Sequence, residues 1–240
     1  MTMRVPILFY AGLISLLSIF TLGFQVLKLK PQTPFKPAEF VTISLPEGKI
    51  EVAKFETSIA EWLACVGDGA CPDLGIDMSI KDFPVTGVNL EDIDKYIEWY
   101  SKRSGELVDL PSMEEWSFIA GNHGSTRKQK LFDDPRMAWA TNYDMTKQVG
   151  DVPLKSRGSY GVNNHGIYDI KGGVWEWSKT CVPNIFKQST SYNACVAGRA
   201  AMGEHLAILY DQLRDPGKAG CSAGQPPAYV GFRIIKRNPA

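Results

Sequence analysis

Apolar and polar residues alternate at two places just after residue 39, and an apolar stretch lies close to the C-terminus. Residues 40–45 read Phe-Val-Thr-Ile-Ser-Leu, residues 49–55 alternate again, and a turn with Pro and Gly at 46–48 separates them. Two alternating runs joined by a short turn are typical of a β-hairpin. The stretch 230–235, Val-Gly-Phe-Arg-Ile-Ile, predicts one further short strand.

Three stretches combine a helix-capping pattern with apolar residues at helical spacing. Ser58-Ile-Ala-Glu61 and Ser112-Met-Glu-Glu115 have the arrangement of a capping box, in which the Ser and Glu side chains satisfy free amides at the helix start. Asn89 predicts a further helix start, and Gly105 and Gly121 are expected helix ends. The residues predicted to face inward are Ile93, Tyr96, Ile97 and Tyr100 in the second helix and Trp116 and Ile119 in the third.

Residues 5–27 are almost wholly apolar. About 20 such residues span a bilayer, whereas a cleavable signal has a shorter apolar region and a small-residue cleavage site, which is not evident before Lys28. Residues 1–27 are therefore predicted to be an uncleaved membrane anchor, with a removed signal segment as the alternative; nearly balanced flanking charges leave its orientation open. Residues 28–39 hold three prolines and three lysines and predict a linker, which leaves 40–240 as the soluble domain.

The chain has no net charge, with 26 basic and 26 acidic residues that are interspersed. The absence of a basic block in the sequence argues against a nucleic-acid partner. About 205 residues remain beyond the N-terminal segments, enough for one sizeable domain or two small ones. Residues 122–163 show little periodicity, which is typical of a functional loop or of a fold poor in regular structure.

The chain has five cysteines, and an odd number leaves at least one unpaired or paired between chains. Cys65 and Cys71 bracket a Gly-Asp-Gly turn, and their spacing permits a small disulfide loop. A zinc site there would need two more ligands nearby, and the sequence offers none. The remaining cysteines are Cys181, Cys195 and Cys221.

Residues 166–177, Gly-Ile-Tyr-Asp-Ile-Lys-Gly-Gly-Val-Trp-Glu-Trp, fit neither a strand nor a helix period. The neighbouring Gly172 and Gly173 permit backbone angles that are closed to other residues. The pattern predicts a tightly turned, buried segment that encloses Asp169 and Glu176 close to indole rings. Because a buried carboxylate is costly unless it is paired, hydrogen-bonded or metal-bound, both acids are expected to have partners.

This segment resembles the signature Gly-Leu-Tyr-Asp-Met-x-Gly-Asn-Val-Trp-Glu-Trp of the formylglycine-generating enzyme (sulfatase-modifying factor) family. Gly173 stands where the family usually has Asn. Four further stretches resemble family segments in the same order: 54–57, 83–89, 110–116 and 231–233. The resemblance covers about residues 40 to 236. It implies a single α+β domain of low regular secondary structure, related to C-type lectin-like domains.

The same resemblance argues against the family's activity, the oxidation of a sulfatase cysteine to formylglycine. Family enzymes use two copper-binding cysteines, and counted back from Arg214 their positions correspond to Leu206 and Asp211. Neither side chain offers the thiolate that Cu(I) prefers. The family's Arg-Gly-Gly-Ser-Trp segment is also altered, to Arg199-Ala-Ala-Met-Gly203.

A narrower resemblance concerns Cys195, the tail at 213–233 and the five-cysteine layout, which are similar to the family member encoded beside copper-type nitrite reductases. It implies an accessory protein on the periplasmic side, an oxidising compartment. It also implies the disulfides Cys65–Cys71 and Cys181–Cys195, with Cys221 left over.

Cys221 lies in a loop rich in Gly and Pro. One interpretation is an exposed catalytic thiol that binds copper or forms a mixed disulfide with a client; the alternative is a buried thiol or a different disulfide pairing. In the family, Asp169 and the carbonyl of Ile170 match positions of a structural calcium site, and oxygen ligands suit that ion. The alternative for Asp169 is that it satisfies turn amides.

Four charged residues are candidates for an ancestral substrate groove. Glu176 lies between two tryptophans, and burial would raise its pKa as a catalytic acid requires, but no second acid or His is placed to work with it. A structural role for Glu176 is the favoured interpretation. Arg199, Arg214 and Arg233 either line the groove or pair with buried acids such as Glu176.

Together these features predict a periplasmic accessory or maturation factor for a copper enzyme, with copper nitrite reductase as the expected client. The domain is expected to attach to the inner membrane through 5–27. One alternative is a thiol- or copper-dependent oxidoreductase that uses Cys221 on a protein substrate. The other is a non-catalytic periplasmic regulatory module.

Overall fold

The computed structural model describes residues 33–123, 154–181, 199–203, 207–209 and 230–237, with backbone only at 207–209. The predicted anchor lies outside these ranges, as do Cys195, Leu206, Asp211, Arg214 and Cys221. Within the described ranges, no helix has the length and apolar character that crossing a membrane requires.

The described residues form eight short strands and three α-helices. The strands are β1 (Phe40–Leu45), β2 (Gly48–Ala53), β3 (Val108–Asp109), β4 (Trp175–Cys181), β5 (Arg199–Met202), β6 (Ala207–Leu209), β7 (Val230–Gly231) and β8 (Ile235–Arg237). The helices are α1 (Ile59–Gly67), α2 (Leu90–Ser104) and α3 (Met113–Ala120), and single 3-10 turns lie at Met78–Ile80 and Gly121–His123. The strands build two four-stranded sheets, in the orders β1–β2–β8–β3 and β6–β5–β4–β7.

The predicted hairpin is present at the edge of the first sheet. β1 and β2 are antiparallel, with Ile43 opposite Ile50. Ile43, Ile50 and Val52 are buried, whereas Thr42 and Ser44 are exposed. Because strand side chains alternate between faces, this pattern places one face of the hairpin on the core.

All three helices begin at the predicted residues, and each begins with a capping box. Ser58, Asn89 and Ser112 accept the backbone N–H of the third helical residue, whose side chain caps the N-cap amide in return. Gly105 ends α2 in the left-handed conformation, and Gly121 caps α3. The predicted inward faces are buried, except that Ile97 is only partly buried and Trp99 takes its place in the core.

The stretch 230–235 is not the single strand that its apolar pattern predicts. β7 runs parallel to β4, whereas β8 is antiparallel to β2 and β3, so the two belong to different sheets. Phe232, Arg233 and Ile234 between them are all buried. Three consecutive buried residues do not fit a strand with one solvent face. The chain crosses here from one sheet to the other, and Arg233 reaches both.

Residues 33–39, here called the docked segment, were predicted to be part of a linker, and they pack against the helices. The ring of Phe35 meets Trp99 and Tyr100 edge-on, with centroid distances of 4.9 and 5.3 Å. The amide of Ala38 donates to the Tyr100 hydroxyl at 3.1 Å. A Pro- and Lys-rich composition is typical of linkers, but here the aromatic contacts of Phe35 and the hydrogen bond of Ala38 help to order the segment.

Candidate functional site

The closing crossover places a fully buried arginine beside a buried glutamate. The Arg233 Nε atom lies 3.2 and 3.1 Å from the two carboxylate oxygens of Glu176 on β4, and Nη2 lies 2.8 Å from Oε1. Both side chains are at most 1% exposed. This is a fork-shaped, charge-assisted pair, the geometry in which a guanidinium binds a carboxylate most strongly.

The remaining donors of Arg233 bind backbone carbonyls from two further parts of the chain. Nη1 donates to the carbonyls of Ala53 and Lys54 at 2.9 and 3.0 Å, and Nη2 donates to the carbonyl of Tyr168 at 2.9 Å. Burial lowers the pKa of Arg233, but Glu176 and Glu56 outweigh this effect and the pKa is raised. Arg233 is therefore a permanent internal cation that joins β2 to residues 166–177, here called the signature segment.

Glu176 has a second partner on a helix. The indole Nε1 of Trp116 on α3 donates to Oε2 of Glu176 at 2.9 Å, and both residues are buried. The expectation that Glu176 lies close to indole rings and needs partners is met. Both carboxylate oxygens of Glu176 accept hydrogen bonds inside the core, which fits the structural role favoured from the sequence over a catalytic one.

Asp169 organises the turn that precedes β4. It is the one described non-glycine residue with a positive φ, at 63°, and its side chain is 2% exposed. Its carboxylate accepts the backbone N–H groups of Gly158 and Tyr160, the latter at 2.8 Å. This is the turn-amide role that the sequence left open as the alternative to calcium.

A calcium ion at Asp169 would need several oxygen ligands around it. The described residues contain no group of three or more His, Cys, Asp or Glu side chains arranged to hold a metal ion. Both oxygens of Asp169 are engaged by backbone amides, so the side chains here do not build a calcium site by themselves. Calcium at Asp169 and Ile170 stays a prediction from the resemblance.

The residue that sequence reasoning missed is Glu56, which lies between β2 and α1. It is 1% exposed, and neither of its carboxylate oxygens has a hydrogen-bond partner among the described residues. The closest opposite charge is Arg233 Nη2 at 3.9 Å from Oε2. Burial raises the pKa of Glu56 to about 8; Arg233 lowers it, and Glu176 and Asp169 raise it further. Because Glu176 already engages the guanidinium, the desolvation of Glu56 prevails and the acid is largely neutral at pH 7.

The surroundings of Glu56 include the position at which the chain departs from the family signature. A Cβ atom on Gly173 would lie 3.1 Å from Oε1 of Glu56, and Gly173 has a φ of 73°. The backbone carbonyl of Glu56 is bound by Arg157 Nη1 at 2.9 Å. Glu56 belongs to the stretch 54–57 that resembles a family segment, but its burial was not predicted, because the groups that enclose it come from distant parts of the chain.

The predicted groove residues do not converge in the described structure. Glu176 and Arg233 are together in the core, whereas Arg199 stands opposite Cys181 at the far end of β4 and donates to the carbonyl of Lys179 at 3.0 Å. Arg199 is half-buried. Arg214 lies outside the described residues, so its part in a groove stays a prediction.

Two disulfides involve described cysteines. Cys65 is joined to Cys71, the pair expected from the resemblance. Cys181 is also disulfide-bonded. Cys195, its predicted partner, lies outside the described residues, so this pairing stays a prediction. Cys221, the catalytic candidate, lies outside the described residues too.

Several known proteins are similar to this chain. A formylglycine-generating enzyme of Streptomyces coelicolor is 29% identical over 128 residues, which make up 49% of this chain and 39% of that enzyme. An inactive C-alpha-formylglycine-generating enzyme 2 of Bos taurus is 30% identical over 124 residues, 45% of this chain and 36% of that protein. The matched regions thus span little more than a third of these two relatives.

The fold has counterparts among solved structures. A crystal structure of CarF superimposes with a TM-score of 0.51 at 14% sequence identity, covering 85% of this chain and 99% of that chain. At this identity the similarity concerns the fold alone. The profile of the sulfatase-modifying factor enzyme 1-like domain matches residues 47–238, well over half of the chain. The chain therefore belongs to the family of formylglycine-generating (sulfatase-modifying factor) enzyme domains, as a single α+β domain with modest regular secondary structure.

Proposed function

We propose that this protein is a member of the family without oxidase activity, and that it works as an accessory or maturation factor for a periplasmic copper enzyme. Copper nitrite reductase is the expected client. The protein is expected to be held at the inner membrane by residues 5–27.

The observation that carries the proposal is the loss of the paired cysteines. The corresponding positions are Leu206 and Asp211, and an aliphatic and a carboxylate side chain are poor ligands for Cu(I). Oxidation of a client cysteine by the family's route needs both thiolates. The proposal is supported by the relative from Bos taurus, which bears the name of an inactive enzyme.

The retained framework supports a binding role. The signature segment keeps its turn through Asp169 and is tied to the rest of the core through Glu176 and Arg233. Their side chains are buried, so their value lies in rigidity rather than in contact with a substrate. A rigid scaffold that presents long loops is a common basis for recognition.

The periplasmic assignment is supported by cysteine chemistry. Cys65 and Cys71 form a disulfide, and Cys181 is disulfide-bonded as well. Disulfides persist in oxidising compartments and are rare in the cytosol. The choice of nitrite reductase as client is supported by the tail at 213–233, which is similar to the family member encoded beside that enzyme.

The first experiment tests the loss of oxidase activity. The full chain is incubated with Cu(I), oxygen and a cysteine-containing sulfatase peptide, and mass spectrometry follows conversion of the thiol to the aldehyde. A formylglycine-generating enzyme serves as the positive control. We expect no conversion; conversion by the wild-type chain that disappears in Cys221→Ser would instead establish a single-thiol oxidase.

The second experiment tests the client. The tagged chain is captured from native membranes of its own host, and the copper content of nitrite reductase is compared between strains with and without the chain. We expect recovery of a periplasmic oxidoreductase and a lower copper content in the deletion strain. Full copper loading in the deletion strain, with no oxidoreductase recovered, would refute the accessory role. If Cys221→Ser keeps client binding but loses copper loading, Cys221 handles the metal.

A further inference from the structure

The N-terminal end of the docked segment is held by the loop that follows α1 and by the last turn of α2. The amide of Thr33 donates to Oδ1 of Asp68 at 2.8 Å, and Arg103 Nη2 donates to the carbonyl of Thr33 at 2.8 Å. The fit is close: a Cβ atom on Gly67 would lie 2.3 Å from Oγ1 of Thr33. The chain therefore has a receptor site for this segment, built at the C-terminal end of α1.

Asp68 is the centre of that receptor site. Besides Thr33, its carboxylate accepts the indole Nε1 of Trp99 at 3.0 Å and lies 3.7 Å from Nε of Arg103. The hydrogen bonds from Thr33 and Trp99 hold the pKa of Asp68 below its usual value. Trp99 in turn packs against Phe35 of the docked segment. One carboxylate thus organises both the polar and the aromatic contacts of the segment.

Asp68 lies inside the loop that the Cys65–Cys71 disulfide closes. Cys65 is the last buried residue of α1, and Asp68 follows it as the helix C-cap. Beyond the disulfide, the carbonyl of Pro72 accepts Nε1 of Trp62 at 3.2 Å. The covalent link therefore restrains the short loop on which the Asp68 side chain stands.

We propose that the Cys65–Cys71 disulfide is a redox-controlled latch for the docked segment. With the disulfide closed, Asp68 binds Thr33, and residues 33–39 are fixed to the domain. With the disulfide reduced, the loop relaxes, Asp68 leaves its position, and the segment is released. Seven additional residues then act as a free linker, which adds up to about 25 Å of reach between the domain and the part of the chain that precedes it.

The chemical step is thiol–disulfide exchange with a dithiol reductant. A thiolate of the dithiol attacks Sγ of Cys71, which is 8% exposed, whereas Cys65 is fully buried. The S–S bond breaks, and Cys65 departs as a thiolate and takes up a proton. The second thiol of the reductant then displaces Cys71 and closes the reductant's own disulfide, so that two electrons and two protons reach the protein.

Hydrogen–deuterium exchange of the full chain tests the latch. The reporters are the amides of Thr33 and Ala38, and the control is the amide of Ala53, which donates to the carbonyl of Ile234 in the first sheet. In Cys65→Ala/Cys71→Ala we expect the two reporters to exchange about tenfold faster or more, while Ala53 changes by less than about twofold. Unchanged reporter exchange in this variant overturns the proposal.

Two further variants separate the latch from a general loss of stability. Asp68→Ala keeps the disulfide and is expected to release the segment to the same extent; continued protection of Thr33 in Asp68→Ala contradicts the proposal. Cys181→Ser removes the other disulfide and is expected to leave the reporters unchanged.

Titration of the wild-type chain with a dithiol covers the case in which a variant fails to fold. The reporters are expected to lose protection at a lower reductant concentration than Ala53. Simultaneous loss of protection in the segment and in Ala53 would mean that the disulfide supports the whole domain, and the latch would be refuted.

Discussion

Two buried carboxyl groups, Glu176 and Glu56, lie within 4 Å of the guanidinium of Arg233, but only Glu176 is hydrogen-bonded. Glu176 receives donors from Arg233 and Trp116 at 2.8 to 3.2 Å. Glu56 is equally buried and has no hydrogen-bond partner in the described part of the chain. The comparison shows that hydrogen-bond partners, and not burial alone, decide whether a buried acid is charged. An arginine that is shared between two acids pairs with the one whose geometry permits the fork, and the other acid stays protonated.

The largest effect is expected when the shared cation is removed. Arg233→Met leaves Glu176 buried without its cation and removes the guanidinium hydrogen bonds to the carbonyls of Ala53, Lys54 and Tyr168. We expect a loss of roughly 5 kcal/mol in the free energy of unfolding, or failure to fold, measured by urea denaturation. Arg233→Lys is expected to recover little, because an ammonium cannot reproduce the fork.

Arg237→Met provides the matched control. Arg237 also contacts two acids, Glu115 and Asp109, but its side chain is 33% exposed. Its removal is expected to cost roughly 1–2 kcal/mol, because solvent partly screens this pair. Equal losses in the two variants would contradict the central role of Arg233.

Removal of the paired acid is expected to have the next largest effect. Glu176→Gln keeps an acceptor for Trp116 but leaves the charge of Arg233 without its carboxylate, which costs roughly 3–4 kcal/mol. The loss is smaller than for Arg233→Met because Glu56 can ionise in response. Carbon-13 NMR of the Glu56 carboxyl measures this directly: its pKa should fall below the wild-type value of about 8. An unchanged pKa would mean that Glu56 does not sense the guanidinium.

The pH dependence of stability isolates Glu56 itself. The pKa of Glu56 is about 8 in the folded chain and 4.5 when the side chain is free in solution, as in the unfolded chain. Between these two pH values the folded chain therefore binds more protons than the unfolded chain. The contribution of protonated Glu56 to the free energy of unfolding is therefore fully present below about pH 4.5 and is lost as the pH rises through 8. Glu56→Gln removes this slope: we expect it to match the wild type near pH 5 and to exceed it by roughly 4 kcal/mol at pH 9. If the free energy of unfolding changes with pH in the same way in the two proteins, Glu56 is charged between pH 5 and 9 and its pKa is not raised.

The smallest effect is expected at Gly173. Among non-glycine residues Asn tolerates a positive φ best, and its Cβ would lie 3.1 Å from Oε1 of Glu56, so the acid has to shift slightly to accept the amide. Gly173→Asn is expected to stabilise the chain by about 1 kcal/mol by giving the acid a donor. Gly173→Ala adds the same Cβ without a donor and should destabilise by about 1 kcal/mol, because of the positive φ. If Asn is no better than Ala, the unpartnered acid and the glycine are unrelated.

Local features of the molecule were readable from the sequence because their causes are local. Ser58, Asn89 and Ser112 cap the three helices with groups only three residues away. The hairpin follows from alternation around a turn. The signature segment is specific enough to indicate the family from sequence, and its two acids were expected to be buried and partnered.

Three features were not readable, and each depends on residues far apart in the chain. The break between β7 and β8 arises because the two strands have partners in different sheets. The docking of Phe35 depends on an aromatic site on α2, more than sixty residues away. The complete burial of Arg233 was the third, because a charged residue in a sequence does not reveal which elements cover it.

The helix starts and the glycine turns follow from the sequence alone, since each depends on short-range hydrogen bonding or steric fit. The pairing of Arg233 with Glu176 rather than with Glu56 arises only in the folded chain. That choice depends on which carboxylate receives the donors when segments from four regions of the chain close around one cation, and the desolvation that forces the choice exists only after they have closed.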